Sequence, residues 1–245
     1  FNNQKDQFED VMKKLFTILF ITSFALAASW NSLGSESPTA YNKEIISSND
    51  SGTIIRFSLE GYSLTPLQTS NGDAYKVGTM LGASLLELGA PDLQKLSVSL
   101  KVSNDKHMVT HVESSEYIEI ENITIAPSKG NLSRLVNPED IEYLWGETYS
   151  LNKFYPGKLT DLNTPYILRD FRGQANVYPF QYNPITETLR IYTEIIISVV
   201  ADGPGEINIL TEETLNTIDH DFVKIYNSHF DNFNTTNTRY DFVEE

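Results

Sequence analysis

An antiparallel β-sandwich closed by one C-terminal α-helix is the fold this sequence predicts, on three observations. First, Leu189, Ile191, Thr193, Ile195 and Ile197 alternate with Arg190, Tyr192, Glu194 and Ser198, and a period of two rich in β-branched and aromatic residues marks a half-buried strand. Second, several other β-rich runs succeed one another with no amphipathic helix between them, the pattern of antiparallel layers. Third, Leu215, Ile218, Phe222, Ile225, Tyr226 and Phe230 recur at three- and four-residue steps, which gives one apolar helix face over about 214–230.

In chain order, residues 1–11 are polar and unpatterned and precede Met12 as an upstream extension. Met12-Lys13-Lys14 and the run LFTILFITSFALAA then form a secretory signal peptide, 12–28, with Ala25 and Ala27 as small residues for cleavage after Ala27 or Ala28. The apolar run is shorter than the roughly 20 residues of a membrane helix, so no stable membrane anchor is expected. Residues 29–52, rich in Ser and Asn, read as a flexible lead-in or an edge strand. Thr53–Leu59, Leu96–Val102, Met108–Glu113 and Tyr117–Ile125 read as strands between Gly, Asn, Asp and Pro punctuation. Gly89–Leu93 is a turn. The polar span from Ser128 to Pro165 holds Pro138, Pro156 and Pro165, and loops of this length in a compact domain are usually functional or disordered. Asn183-Pro184 should reverse the chain between Phe171–Phe180 and Thr188–Val200. The sandwich should end near 210, the helix near 230, and a polar linker, NFNTTNTR, should run to Arg239; such linkers are where proteases cut.

At 245 residues the chain has room for one sandwich-sized domain. It has no cysteine, which excludes a disulfide framework, a thiolate metal site and a cysteine nucleophile within these residues. With 33 acids against 18 bases the formal charge is −15, and nucleic acid is not an expected partner. His107 and His111 share a strand face but lack a third ligand, so neither a metal nor a cofactor is expected. Asp219-His220-Asp221 is explained by acids at a helix start. No G-x-S-x-G elbow or phosphate loop is present, and the adjacent acids Glu139-Asp140 and Glu212-Glu213 cannot converge on one substrate. The loop from Ser128 to Pro138 differs in kind, because it carries two cations, Lys129 and Arg134, in an acidic chain. A solvated loop arginine is the ordinary reading; an arginine held out by a rigid sheet is also able to enter an acidic pocket.

The hairpin DFRGQANVYPFQYNPITETLRIYTEIIISVV, the upstream IAPSKGNLSR and the downstream FVKIYNSHF and TRYDFVEE together resemble the propeptides of gingipain-type cysteine endopeptidase precursors, nearest to the arginine-specific ones. That resemblance implies an inhibitory, possibly folding-assisting propeptide over 53–239, with 240–245 opening the mature peptidase. It implies that Arg134 occupies the S1 pocket of the catalytic domain of its own precursor, C-terminal to Glu245, with Lys129 as the rival. It implies cleavage between Arg239 and Tyr240, and export to the periplasm and then the cell surface or medium. One departure stands out: Gln94 occupies the place of the second proline in the family's glycine-x-proline, leucine-proline turn. A secreted adhesin or glycan-binding module would share the fold and the acidity but would not need the terminal RYDFVEE.

Overall fold

A computed structural model describes residues 28–49, 51–168, 171–173, 175–210, 217–218, 220–233 and 241–242, with backbone alone at 171, 172, 217, 218, 220, 241 and 242. The strands are β1 (Ser29–Ser32), β2 (Asn42–Asn49), β3 (Gly52–Ser58), β4 (Gly61–Thr69), β5 (Gly72–Gly78), β6 (Ala83–Ser84), β7 (Gln94–Ser97), β8 (Lys101–Val102), β9 (Lys106–Ile120), β10 (Thr160–Asp161), β11 (Tyr166–Leu168), β12 (Phe171–Gly173), β13 (Asn176–Val177), β14 (Phe180–Asn183), β15 (Thr188–Pro204), β16 (Thr217–Ile218) and β17 (Asp241–Phe242). Among the described residues α1 (His220–His229) is the single α-helix.

The 17-residue β15 organises the larger sheet. One of its edges pairs with β14 and then β3, and the other pairs with β9 from Leu189 to Pro204. All these pairings are antiparallel, and β2 extends the sheet beyond β3. Two smaller sheets, β10-β13-β7-β6 and β11-β12-β8, supply the facing layer. Ile55, Phe57, Leu189, Ile191, Ile195 and Ile197 meet Leu93, Leu96, Leu100, Val177 and Phe180 in one apolar cluster. Burying a side chain of this size stabilises by about 1.5–3 kcal/mol, which fixes the register because a one-residue slip would turn the set toward water.

The predicted alternation in β15 holds at Leu189, Ile191, Ile195 and Ile197, but Thr193, expected inward, is half-buried at a register shift, and Ser198, expected outward, is buried, as is Tyr192. The Tyr192 hydroxyl donates to Gln181 Oε1 at 2.8 Å, and Gln181 Nε2 donates to the Pro156 carbonyl at 2.8 Å, so the loop around Pro156 covers this face. Met108–Glu113 and Tyr117–Ile125, expected as two strands, are mostly one: Ser114 and Ser115 stay paired opposite Ile196 and Ile195 through a ladder with register shifts. The run Leu96–Val102 breaks instead between β7 and β8, and Phe171–Phe180 is divided among β12, β13 and β14.

Of the two readings of residues 29–52, a flexible lead-in or an edge strand, the structure has the second. β1 pairs with β4 and β2 with β3, so this segment supplies two edge strands. The β4–β5 hairpin turns at Ser70-Asn71 and re-enters the sheet at Gly72, whose φ of +110° is a conformation glycine adopts without a Cβ clash. Pro66 sits in β4 beyond Leu64, the last residue that β1 pairs; a missing N–H is tolerated where the edge is open.

The helix starts at His220, later than 214, and Thr217–Ile218 is a strand parallel to β17. Leu215 lies outside the described residues. Tyr226, Phe230 and Phe233 form a satellite core with Tyr166 and Leu168, whereas Ile225, expected on the apolar face, is 43 % exposed. Asp231 and Asn232, expected at the end of the helix and the start of the linker, are both bonded to the sheets. Asp231 N–H donates to the Ser99 carbonyl at 2.9 Å and its carboxylate pairs with Lys43 at 2.7 Å. Asn232 Oδ1 accepts the Lys101 N–H at 2.7 Å, while its Nδ2 donates to the Lys101 carbonyl and the Thr53 hydroxyl, each at 2.9 Å. Its amide thus acts as a strand residue beside β8.

Replacing Asn232 by Ala should lower unfolding free energy by about 1–3 kcal/mol, because the Lys101 amide loses its partner. Ile225→Ser should stay within about 0.5 kcal/mol. Urea denaturation followed by tryptophan fluorescence distinguishes the two, and equal effects would mean that Asn232 lies outside the cooperative unit.

Candidate functional site

The segment Ile123–Ser128 runs between two backbones and leaves few polar groups unpaired. On one side Tyr75 N–H donates to the Thr124 carbonyl at 2.8 Å and Ala126 N–H to the Tyr75 carbonyl at 2.9 Å. On the other, Asp92 N–H donates to Ala126 at 2.9 Å, Ser128 N–H to Ala90 at 2.7 Å, and Gly89 N–H to Ser128 at 3.0 Å. Buried backbone groups must find such partners. A second layer braces this platform: Gly146 N–H donates to the Gly89 carbonyl at 2.9 Å, and a Cβ on Gly146 would come within 2.9 Å of that oxygen. Gly89 itself has φ +78°. The Tyr149 hydroxyl donates to the Ile125 carbonyl at 2.7 Å.

The loop leaves this platform at Lys129. Gly130 (φ +76°) lies against Leu88, and its N–H donates to Ser128 Oγ at 3.1 Å. Lys129 Nζ donates to the Pro138 carbonyl at 2.7 Å and stands 4.2 Å from the centre of the Tyr143 ring. The lysine thereby closes the neck of a lobe containing residues 130–137. A short 3₁₀ turn, Pro138–Asp140, receives the chain, with Asn137 Oδ1 accepting the Glu139 N–H. At the far end of the lobe, Val136 N–H donates to the Ser133 carbonyl at 3.0 Å, which places Arg134 and Leu135 at the two central positions of a β-turn. Arg134 is exposed and Leu135 is 96 % exposed. Arg134 makes no hydrogen bond or ion pair to the described residues.

The two loop cations therefore have different situations, one internal and one projecting. Sequence reasoning treated them as rivals and had no signal for the Lys129–Pro138 bond, whose partners are nine residues apart. Ala28 is exposed beside β1, whereas Ala25, Ala27, Arg239 and Tyr240 lie outside the described residues. His107 and His111 are exposed on β9, and among the described residues no group of three or more His, Asp or Glu side chains is arranged to hold a metal ion. No described helix is long and apolar enough to cross a membrane.

The profile of the family named Propeptide_C25 matches residues 37–239. The chain belongs to that family. Gingipain R2 of Porphyromonas gingivalis is 38% identical over 241 residues, covering 96% of this chain and 32% of the relative. Gingipain R1 of the same organism is 44% identical over 168 residues, covering 68% of this chain and 17% of the relative. The chain thus spans about a third or less of these relatives' lengths. A solved complex of the P. gingivalis RgpB pro- and mature domains matches with a TM-score of 0.73 at 40% identity, over 78% of this chain and 98% of that one. A structure bearing on zymogenic latency of gingipain K from Porphyromonas gingivalis matches in fold, with a TM-score of 0.60 at 18% identity, over 72% of this chain and 100% of that one. The chain is accordingly a gingipain-type cysteine-peptidase propeptide with an antiparallel β fold and a C-terminal helix.

In this Propeptide_C25 member the departure at Gln94 has a local reason. Its Oε1 accepts the Thr79 N–H at 2.8 Å, a bond that holds the end of β5 against β7 and that proline could not make.

Tyrosines brace the platform from below. Burial pushes the phenol of Tyr149 far above its ordinary value, as it does that of Tyr155, where the Glu87 carboxylate adds to the effect. Burial likewise pushes Tyr182 up to about 12. The charged phenolate is the disfavoured form, so an unfolded tyrosine loses its proton near pH 10 while the folded one keeps it. Stability from these groups is complete below about pH 10 and falls as pH rises toward the folded values. Tyr149→Phe should therefore flatten the alkaline loss of stability above about pH 10 and cost about 1 kcal/mol at neutral pH through the lost Ile125 bond. Denaturant titrations between neutral and alkaline pH measure both effects.

Proposed function

We propose that this propeptide keeps the catalytic domain of its own precursor latent by seating Arg134 in that domain's S1 pocket. The observation that carries this reading is the contrast within the loop: Lys129 is bonded at the neck, and Arg134 stands exposed at the tip. A guanidinium on a braced loop loses little further freedom on docking, and its planar fork suits bidentate pairing with a carboxylate. Support also comes from the RgpB relative, solved as a complex of its pro- and mature domains. The Ser133–Val136 turn gives a reason for inhibition rather than cleavage, since the chain folds back directly after Arg134 and does not present the next bond in an extended strand.

The chain has no cysteine and so supplies no cysteine nucleophile; on this reading the hydrolytic chemistry belongs to the domain it covers. Latency needs only modest intrinsic affinity, because a tethered inhibitor acts at an effective concentration near millimolar. The tether is cut between Arg239 and Tyr240, a reading supported by the family match running to residue 239. The signal peptide, removed after Ala27 or Ala28, directs the precursor to the periplasm and then to the cell surface or medium, and the propeptide assists folding of its catalytic domain on the way.

Arg134→Ala should weaken inhibition of the mature peptidase by about 2–5 kcal/mol, the usual cost of removing one partner of a buried charge pair. Lys129→Ala should act through loop order and matter less. Inhibition constants test this, and the reverse ranking would make Lys129 the pocket residue.

Arg239→Gln should leave the precursor uncut, with full-length protein accumulating. Amino-terminal sequencing of the parent's mature product should begin at Tyr240, and normal processing of the variant would exclude arginine-directed activation.

A further inference from the structure

A pocket of about 440 Å³ opens beside the Arg134 loop, between the Leu85–Glu87 segment and the Tyr155–Lys158 turn, with Tyr178 as a wall. Its chemistry is uneven. Tyr155, Tyr178, Pro156 and Leu85 offer aromatic and aliphatic surface, and Glu87 offers a carboxylate at the mouth. The Tyr155 hydroxyl donates to Glu87 Oε2 at 2.7 Å, which orients the carboxylate and leaves its second oxygen open to a ligand. Lys158 also lines the pocket, but its ammonium pairs with Asp161, so the uncompensated charge at the mouth is negative. Phenol rings attract a cation at their faces, and more strongly once water is excluded.

We propose that this pocket receives a lysine or arginine side chain of the mature peptidase domain, as a second anchor beside Arg134. The proposal deepens the latency reading and rests on it for the partner. Continuity with the loop is direct. Leu88, one residue beyond Glu87, packs on Gly130, and Gly89 bonds Ser128 at the loop's base. Leu86 and Leu88 on that segment are 46 % and 60 % exposed, and Leu144, whose carbonyl lies against Gly89, is 56 % exposed; Leu86 has φ +58°, an unfavourable conformation for leucine. Exposed apolar residues around a concave polar centre are the composition of a docking face, and the pocket volume falls in the range of ligand sites. The two anchors exchange charges in opposite senses: the propeptide gives a cation at Arg134 and takes one at Glu87.

The test uses the propeptide in trans with the mature peptidase domain, as pro- and mature domains pair in the RgpB complex, and reads both binding affinity and inhibition. Glu87→Gln removes the charge and keeps the shape. Gly157→Leu adds bulk to the lining without a backbone clash, since the nearest atom to a Cβ there is the Phe154 carbonyl oxygen at 4.0 Å. Each should raise Kd by about fivefold or more, with unchanged Tm, and the Glu87 effect should shrink as salt is added. Arg134→Ala serves as the separate probe of the loop. Changes below about twofold for both pocket variants would overturn the proposal whatever Arg134→Ala does. An effect of Gly157→Leu alone would overturn the cationic occupant. If the pocket variants weaken binding while Arg134→Ala leaves inhibition intact, the pocket stands and the loop reading fails.

Discussion

The pairing of β15 along both edges is the constraint on which the rest of the molecule depends. A strand covered on its core face, and in part on the other, must have its N–H and C=O groups satisfied by neighbours, and β3, β14 and β9 supply them. Because side chains alternate with period two, those pairings decide which residues reach the core. Ile195 and Ile197 point inward only in the register that sets them opposite Phe57 and Ile55.

From this sheet the loop inherits its position through a short series of contacts. The turn that closes β14–β15 puts Glu187 at φ +48°, and its carbonyl accepts the Ile123 N–H at 3.1 Å. Ile123–Ser128 then passes over Tyr75 and Gly89–Asp92 before releasing Lys129. Tyr149 ties the same segment to the sheet, with its hydroxyl on Ile125 and its ring at 6.5 Å from that of Tyr182. The loop base is therefore an extension of the core, although the loop is polar in sequence.

How far the sequence could be read follows from the range of the forces involved. The alternation in β15, the strand β3 and the helix around Phe222, Tyr226 and Phe230 were legible because each is a local periodic pattern. The β4–β5 hairpin has a local basis too, in Ser70-Asn71 followed by Gly72. Tyr192 reads as solvent-facing because nothing nearby announces that Gln181 and Pro156 will cover it. Asn232 reads as linker until Lys101, far away in sequence, supplies both of its backbone partners. At the candidate site the presence of two cations was legible, but their unequal roles depend on the fold of the loop.

The platform beneath Arg134 is built largely from main-chain groups of residues 75, 89–92, 124–128 and 146, and main-chain bonds do not depend on the side chain carried at the tip. Replacing residue 134 leaves each of those bonds in place, so the position is free to drift without cost to folding. In evolutionary terms the inhibitor's aim and its architecture are separable traits. With Arg134 seated in S1 as proposed, a lineage whose peptidase changed its preferred residue would meet that change at one codon in the turn, while the scaffold around β15 kept its bonds.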